Sequence, residues 1–169
     1  AQCKVLESTI NADIIAFADS IINEKPDVIS FSCYIWNVNK TFEICEYIKT
    51  KTNAVIVLGG PEVSYRAESV LNDNNFIDFV LCGEGEVSFA RLVDTLVTNG
   101  DFTDVDGLCY REKGVILKNP EAECIGTPPS PYTNDFYDNL KGRIAYLETS
   151  RGCPYRCAFC LSGRCSKLR

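Results

Sequence analysis

The chain has 169 residues, of which 46% are hydrophobic and 24% charged, and its formal net charge is −6. These values indicate one globular domain with room for a further piece, and the acidic balance argues against a nucleic-acid-binding surface. No apolar run approaches the roughly 18 residues of a membrane span, and no signal-peptide pattern is visible. Ten cysteines in such a chain predict a reducing, cytoplasmic location, where clustered cysteines more often bind metal than form cross-links.

Alternating strand-like and helix-like segments predict a parallel α/β sheet with helices on both faces. A short strand is expected at 4–7. Asn11 is expected to cap a first helix, because a stripe of apolar residues follows it. In chain order, the pattern then predicts a helix at 12–23, a strand at 28–33, a helix at 39–51, strands at 54–58 and 77–81 with a helix at 67–72 between them, and a helix that ends near 98.

The pattern changes after Gly100. Short strands at 107–111 and 115–118 flank Gly114 and predict a hairpin. Residues 126–142 are rich in proline, asparagine and aspartate, a composition typical of a linker. We therefore expect one domain over residues 1–125 and the start of a second over 143–169, opening with a strand at 144–149.

Small and polar residues follow three of the predicted strands. In open parallel sheets, ligands bind outside the carboxyl ends of the strands, and glycines allow a large ligand to approach the backbone closely. Turn formation alone is an alternative explanation for each loop. The candidate binding residues are Ser30, Ser32, Cys33 and Tyr34 at the end of strand 28–33, Gly59, Gly60, Pro61 and Glu62 after strand 54–58, and Gly83, Glu84, Gly85 and Glu86 after strand 77–81.

Cys153, Cys157 and Cys160 have the spacing C-x3-C-x2-C. Three thiolates are one fewer than a structural zinc site or a plain electron-transfer cluster requires. A cluster held by three thiolates leaves one iron open to a further ligand. A zinc knuckle completed by Cys165 and a disulfide pairing are the alternatives.

The run from Arg151 to Cys160 resembles the signature of the radical S-adenosylmethionine (SAM) superfamily, including the aromatic Phe159 before the third cysteine. The resemblance implies that Cys153, Cys157 and Cys160 bind a 4Fe–4S cluster whose open iron is chelated by SAM. It also implies that residues 143–169 begin an α/β barrel, most of which is absent from this chain. An electron donor such as flavodoxin or ferredoxin is the implied partner.

Residues 1 to about 125 resemble the flavodoxin-like, Rossmann-like cobalamin-binding domain that precedes many radical SAM domains. The resemblance rests on Pro-Asp-Val-Ile-Ser-Phe-Ser (26–32), Leu-Gly-Gly-Pro-Glu-Val-Ser (58–64) and Cys-Gly-Glu-Gly-Glu (82–86). It implies cobalamin as a cofactor. The chain has no histidine, so these residues supply no histidine as a lower cobalt ligand, and the family's first strand and helix are expected to be missing.

Together the two resemblances imply an N-terminal piece of a radical SAM enzyme that performs methyl transfer or another activation of an unreactive C–H bond. The absence of methionine agrees with a start that is not native, and the piece alone is expected to be inactive. One alternative is a non-catalytic cobalamin-binding or interaction module with an incidental cysteine tail. Another is a flavin- or nucleotide-binding domain, which the absence of a G-x-G-x-x-G turn and of a P-loop disfavours.

Overall fold

The computed structural model describes residues 2–121, 130–138, 140, 142–155 and 157–160. The chain divides into two compact units, Ala1–Ala122 and Glu123–Arg169. The predicted boundary at 125 and the start of the predicted linker lie outside the described residues. In chain order the elements are α1 (Ile14–Asn23), β1 (Val28–Ser32), α2 (Val38–Lys51), β2 (Val55–Gly59), α3 (Pro61–Ser64), α4 (Ala67–Asp73), β3 (Phe79–Leu81), α5 (Gly85–Thr98), a 3-10 turn (Phe102–Asp104), β4 (Leu108–Glu112), β5 (Val115–Lys118) and α6 (Asn134–Asp138).

The first unit contains a five-stranded sheet in the order β1-β2-β3-β4-β5. The first three strands are parallel, which confirms the predicted α/β core. The predicted hairpin is also confirmed, and it continues the same sheet, because β4 pairs antiparallel with β3 and β5 antiparallel with β4. The sheet is therefore mixed rather than wholly parallel.

Helices cover both faces of this sheet, as predicted. Right-handed connections that step in one direction along a sheet place their helices on one face. The larger apolar cluster lies on that face and includes Ile48 of α2, Leu71 of α4 and the strand residues Ile56 and Leu58. The second cluster lies on the other face, where Leu92 of α5 packs with residues such as Val57, Phe79, Leu81 and Tyr110.

The start of α1 differs from the prediction. Its N-cap is Asp13, whose Oδ1 accepts a hydrogen bond from the Ala16 N–H at 2.7 Å. Asn11 lies in the preceding turn. Both residue types cap helices well, so the prediction at Asn11 was wrong because the apolar stripe alone does not show which polar residue has the extended backbone that a cap needs.

Two predicted strands are not formed. Residues 4–7 lack strand structure and Val5 is 79% exposed. Residues 144–149 also lack it, and Ile144 and Tyr146 are 80% and 83% exposed. A strand needs a neighbour that satisfies its backbone N–H and C=O groups. Within the described residues, neither segment pairs with another strand, so both predictions were wrong.

Within the part of the chain that the structure describes, none of the helices combines the length and the apolar character that crossing a bilayer requires.

Candidate functional site

The carboxyl ends of β1 and β2 meet at one edge of the sheet. Ser32 and Gly59, the last residues of the two strands, are register partners. The Cys33 N–H donates to the Gly59 carbonyl at 2.7 Å, and the Glu62 N–H donates to the Cys33 carbonyl at 3.2 Å. These bonds join the first two candidate loops directly through their backbones.

Gly60 is required by this close approach. Its φ is +99°, and a Cβ at this position would lie 2.6 Å from the Cys33 carbonyl oxygen and 2.8 Å from the Cys33 nitrogen. Both the positive φ and the contact exclude a side chain. The role of Gly60 is therefore to let the two loops pack against each other.

Gly59, its neighbour, has a different environment. Among the described residues, and apart from its two chain neighbours, a Cβ built on Gly59 would have one heavy atom within 4 Å, the Leu81 carbonyl oxygen at 3.8 Å. Because side chains alternate along a strand, that Cβ would project from the same face as Val57. The space above Gly59 on this face is therefore open.

Ser30 and Ser32 lie on the same open face of β1. Their register partners are Val57 and Gly59, and both serines are exposed. The helix on this side, α5, contacts the sheet mainly at β3, and in β1 the apolar cluster around Leu92 includes Val28, two residues before Ser30. The sheet thus presents two hydroxyl groups beside an open glycine position, which is a combination that can hydrogen-bond a large polar ligand and leave room for it.

The loop from Ser32 to Val38 carries a pair of stacked aromatic rings. The rings of Tyr34 and Trp36 are 4.7 Å apart between centroids and nearly parallel, at 3°. Trp36 is 63% exposed. The loop is closed by the Asn37 side chain, whose Oδ1 accepts from the Tyr34 N–H at 2.7 Å and whose Nδ2 donates to the Ser32 carbonyl at 2.9 Å.

A short chain of buried hydrogen bonds joins the second loop to β3. The Ser64 hydroxyl donates to the Gly60 carbonyl at 2.8 Å, and it also lies 3.4 Å from the Leu81 carbonyl. The Cys82 thiol donates to the Ser64 carbonyl at 3.2 Å. The candidate set omitted Ser64 and Asn37. Asn37 directly precedes α2, but its side chain makes no cap hydrogen bond to that helix and closes the loop instead.

The third candidate loop leads into α5. Glu84 is the N-cap residue of this helix, while Gly85 and Glu86 begin its first turn, where an acidic residue is favoured by the helix dipole. In the part of the chain that the structure describes, no atom beyond the adjacent residues and the backbone of α5 lies within 4 Å of a Cβ built on Gly85. Gly83 has a φ of +82°, and a Cβ there would lie 3.4 Å from Glu121 Oε2. The turn and the start of α5 thus account for part of the glycine and glutamate pattern in this loop.

Three other candidate residues make contacts that belong to the fold itself. The Cys33 thiol is fully buried in the larger apolar cluster, and this burial raises the pKa of Cys33 to about 12. Pro61 is the first residue of α3, and Glu62 forms an ion pair with Arg66 at 3.7 Å. The neutral thiol of Cys33 faces the core, so the structure separates it from the open face of Ser30 and Ser32.

The three cysteines of the second unit lie in non-regular structure. Cys153 is half-buried, whereas Cys157 and Cys160 are exposed, and all three are thiols. The Cys160 N–H donates to the Cys157 carbonyl at 3.0 Å. Within the described residues, no three Cys, His, Asp or Glu side chains form a group able to hold a metal. The cluster role of these cysteines therefore stays a prediction from their spacing, and Cys165 lies outside the described residues.

Comparison with known proteins identifies relatives that match most of the chain. TokK, a cobalamin-dependent radical SAM methyltransferase from Streptomyces tokunonensis, is 33% identical over 162 residues, covering 88% of this chain and 24% of that protein. The 2-(S-pantetheinyl)-carbapenam-3-carboxylate methyltransferase of Streptantibioticus cattleyicolor is 32% identical over 148 residues, covering 80% and 22%. The chain thus spans about a quarter of the length of these relatives.

A solved structure agrees with the fold. The cobalamin-dependent SAM radical enzyme OxsB, determined with aqua-cobalamin and S-adenosylmethionine bound, superposes with a TM-score of 0.75 at 23% identity, over 94% of this chain and 23% of that one. Residues 2–93, which include β1, β2, β3 and the loops between them, match the B12 binding domain family. The chain therefore belongs to the B12 binding domain family.

Proposed function

We propose that this chain binds cobalamin at the carboxyl edge of its sheet, as part of a larger radical SAM enzyme that transfers a methyl group. The observation that carries the proposal is the open face formed by Ser30, Ser32 and Gly59, which lies inside the region matching the B12 binding domain. Two relatives above 30% identity that are named methyltransferases support the methyl transfer.

The residues on this face suit one part of cobalamin. Ser30 and Ser32 would donate or accept hydrogen bonds with polar atoms of its nucleotide tail, and Gly59 would leave the room that the tail needs. Cobalamin supplies a carrier for a methyl group when it is bound. Because the chain contains no histidine, cobalamin held by these residues has no histidine of this chain as a lower ligand.

The second unit would contribute the radical chemistry. We assign Cys153, Cys157 and Cys160 as thiolate ligands of a 4Fe–4S cluster because their C-x3-C-x2-C spacing leaves a fourth position for SAM. The cluster and SAM supply one-electron chemistry when they are bound. This chemistry needs an external electron donor, for which flavodoxin or ferredoxin is the proposed partner.

Gly59→Val tests the cobalamin site. The valine side chain would fill the open face, and the fold should tolerate it, since Gly59 lies outside the left-handed region and has only one atom near its Cβ position, at 3.8 Å. We expect affinity for hydroxocobalamin to fall at least about tenfold, the equivalent of about 1.4 kcal/mol, in a titration followed by absorbance and by Trp36 fluorescence.

The matched control is Ser69→Val, which introduces the same side chain at an exposed position of α4 on the other face of the sheet. It should bind hydroxocobalamin as the unmodified chain does. Unchanged affinity in Gly59→Val would exclude this face as the site. Failure of the unmodified chain to bind hydroxocobalamin would contradict the proposal for these residues.

Anaerobic reconstitution with iron and sulfide tests the cluster. The expected result is the visible absorbance of a 4Fe–4S cluster, lost in Cys157→Ala and kept in Cys3→Ala, which removes an exposed cysteine of the first unit. Stoichiometric zinc with no cluster would contradict the assignment. The reconstitution should also be performed on the longest available form of the protein, because the chain spans about a quarter of its relatives.

A further inference from the structure

The Asn37 side chain ties together the loop that carries the Tyr34–Trp36 ring pair. Its Oδ1 accepts the Tyr34 N–H at 2.7 Å and its Nδ2 donates to the Ser32 carbonyl at 2.9 Å. The amide uses both its acceptor and its donor on backbone groups of one loop. Asn37 therefore links the end of β1 to the residue that bears the first ring.

Backbone hydrogen bonds complete this closure. The N–H groups of Asn37 and Val38 both donate to the Tyr34 carbonyl at 3.0 Å. Both backbone polar groups of Tyr34 are therefore bonded to residues 37 and 38, at the start of α2. Residues such as Ile44 and Ile48 anchor α2 in the core, and α2 in turn fixes the position of the loop.

This backbone geometry determines how the rings meet. Tyr34 and Trp36 are two residues apart, and their rings stack at 4.7 Å with an angle of 3° between planes. Residues at this spacing in an extended strand would also point to one face, but the turn brings their rings into parallel contact. With Trp36 63% exposed, few surrounding side chains hold its ring, so the loop backbone must do so.

We propose that Asn37 is a positioning residue that holds the Tyr34–Trp36 pair in place beside the cobalamin-binding edge before the cofactor arrives. Ser32 joins the two features, because its carbonyl is bonded to Asn37 and its side chain lies on the open face. The expected benefit to cobalamin binding rests on the proposed function. Ordering a contact surface in advance lowers the entropic cost of binding.

The first test needs no cofactor. Trp36 is the single tryptophan of the chain, so fluorescence anisotropy and the near-ultraviolet circular dichroism of tryptophan report on this ring alone. In Asn37→Ala, both signals should fall clearly, while the far-ultraviolet spectrum is kept. The control Asn39→Ala changes an exposed asparagine two residues further on and should leave both signals unchanged. Unchanged Trp36 signals in Asn37→Ala would overturn the proposal.

Asn37→Asp is a second, milder variant that guards against misfolding. The carboxylate keeps an acceptor for the Tyr34 N–H but replaces the donor to the Ser32 carbonyl with an oxygen. Aspartate is also a good residue at a helix N-terminus, so α2 should be retained. We expect Trp36 anisotropy between that of the unmodified chain and that of Asn37→Ala, and a value equal to the unmodified chain would argue against the role of the Ser32 bond.

The second test measures hydroxocobalamin affinity. Asn37→Ala should weaken binding about fivefold to tenfold, the scale expected for loss of one or two hydrogen bonds that order the loop. In a Tyr34→Leu, Trp36→Leu background, adding Asn37→Ala should change affinity less than about twofold, because the rings through which it acts are gone. An equal loss in both backgrounds would overturn the positioning role in favour of direct contact.

The two tests separate this inference from the proposed function. If the unmodified chain binds no hydroxocobalamin, the proposed function fails, whereas a fall of Trp36 anisotropy in Asn37→Ala would still support the positioning of the ring pair. If the chain binds hydroxocobalamin and neither anisotropy nor affinity changes in Asn37→Ala, the proposed function stands and this inference fails.

Discussion

Adjacent glycines at the edge of the sheet have different physical roles. A Cβ on Gly60 would collide with the Cys33 backbone, whereas a Cβ on Gly59 meets a single atom at 3.8 Å. The Gly-Gly pair in the sequence indicates a tight strand-to-loop connection at this point. Only the neighbouring loop shows that Gly60 serves packing and that Gly59 leaves space on the open face.

Gly60→Ala should destabilise the first unit by about 2–4 kcal/mol. The extended backbone with positive φ at Gly60 costs a non-glycine residue about 1–3 kcal/mol, and displacing the Cys33 backbone adds an overpacking penalty of similar size. Urea denaturation followed by circular dichroism measures the change. Gly59→Ala is the control and should alter the free energy of unfolding by less than about 1 kcal/mol. Equal effects of the two substitutions would contradict this assignment.

Buried thiols make the free energy of unfolding depend on pH in the alkaline range. Burial raises the pKa of Cys33 from 9.0 to about 12, so the unfolded chain releases this proton first. The contribution is complete below pH 9 and is lost as the pH rises from about 9 towards 12. Cys33→Ala should therefore show a shallower fall in the free energy of unfolding between pH 8 and about pH 10.5.

The control for this pH series is Cys3→Ala, since Cys3 is exposed. Its free energy of unfolding should follow the unmodified chain over the whole series. The comparison uses the slope with pH rather than the absolute stability, because removing the Cys33 thiol also leaves a small cavity in the core. A slope for Cys33→Ala identical to that of the unmodified chain would refute the argument.

At the scale of the elements, an arginine in the hairpin holds the end of a helix. The Arg111 guanidinium of β4 donates to the carbonyls of Ile77 and Asn74, each at 2.8 Å, and to that of Leu71. Leu71 lies in the last turn of α4, and Asn74 is its C-cap residue. Carbonyls at a helix C-terminus lack intrahelical partners, so Arg111 satisfies groups that α4 itself cannot.

Arg111→Met should cost about 2–3 kcal/mol of the free energy of unfolding. Methionine keeps much of the apolar stem but removes three hydrogen bonds donated by a charged group, and such bonds contribute more than neutral ones. Urea denaturation gives the value, and Arg91→Met, at an exposed position of α5, is the matched control. A loss below about 0.5 kcal/mol would show that water replaces Arg111 at these carbonyls.

At the scale of the whole molecule, the apolar core belongs to the first unit. Both clusters of buried side chains and all five strands lie within Ala1–Ala122. Among the described residues of the second unit, none is buried. Apolar burial is the main favourable contribution to folding, so the stability of the chain should come from the first unit.

A protein that ends at residue 122 should fold alone. We expect a cooperative urea transition with a midpoint close to that of the 169-residue chain, and hydroxocobalamin affinity within about threefold of it. Circular dichroism and the cofactor titration measure the two quantities. A broad, non-cooperative transition would show that the first unit depends on residues 123–169.

Local patterns in the sequence were sufficient to predict much of the fold and to direct attention to one edge of the sheet. Apolar periodicity located α1, α2, α4, α5 and the core strands because each of these elements must bury one face. It missed the short helices α3 and α6, which lie where a loop and a linker were predicted. The serines at the end of β1, the Gly-Gly pair at the end of β2 and the resemblance to a cobalamin-binding domain directed attention to the carboxyl edge of the sheet. The family match over residues 2–93 confirms that resemblance, and the binding residues stay a prediction. The C-x3-C-x2-C spacing predicts a cluster site, which stays a prediction.

Other features depended on contacts between residues far apart in the sequence. Segments 4–7 and 144–149 have strand-like composition, but a strand exists only where a neighbour pairs with it. The antiparallel addition of β4 to β3, the inward direction of Cys33 and the clash that reserves position 60 for glycine all arise where separate segments meet. The sequence by itself determined the longer helices, the core strands and the family, whereas the tertiary structure decided which side chains share the open face, because that depends on how the segments pack together.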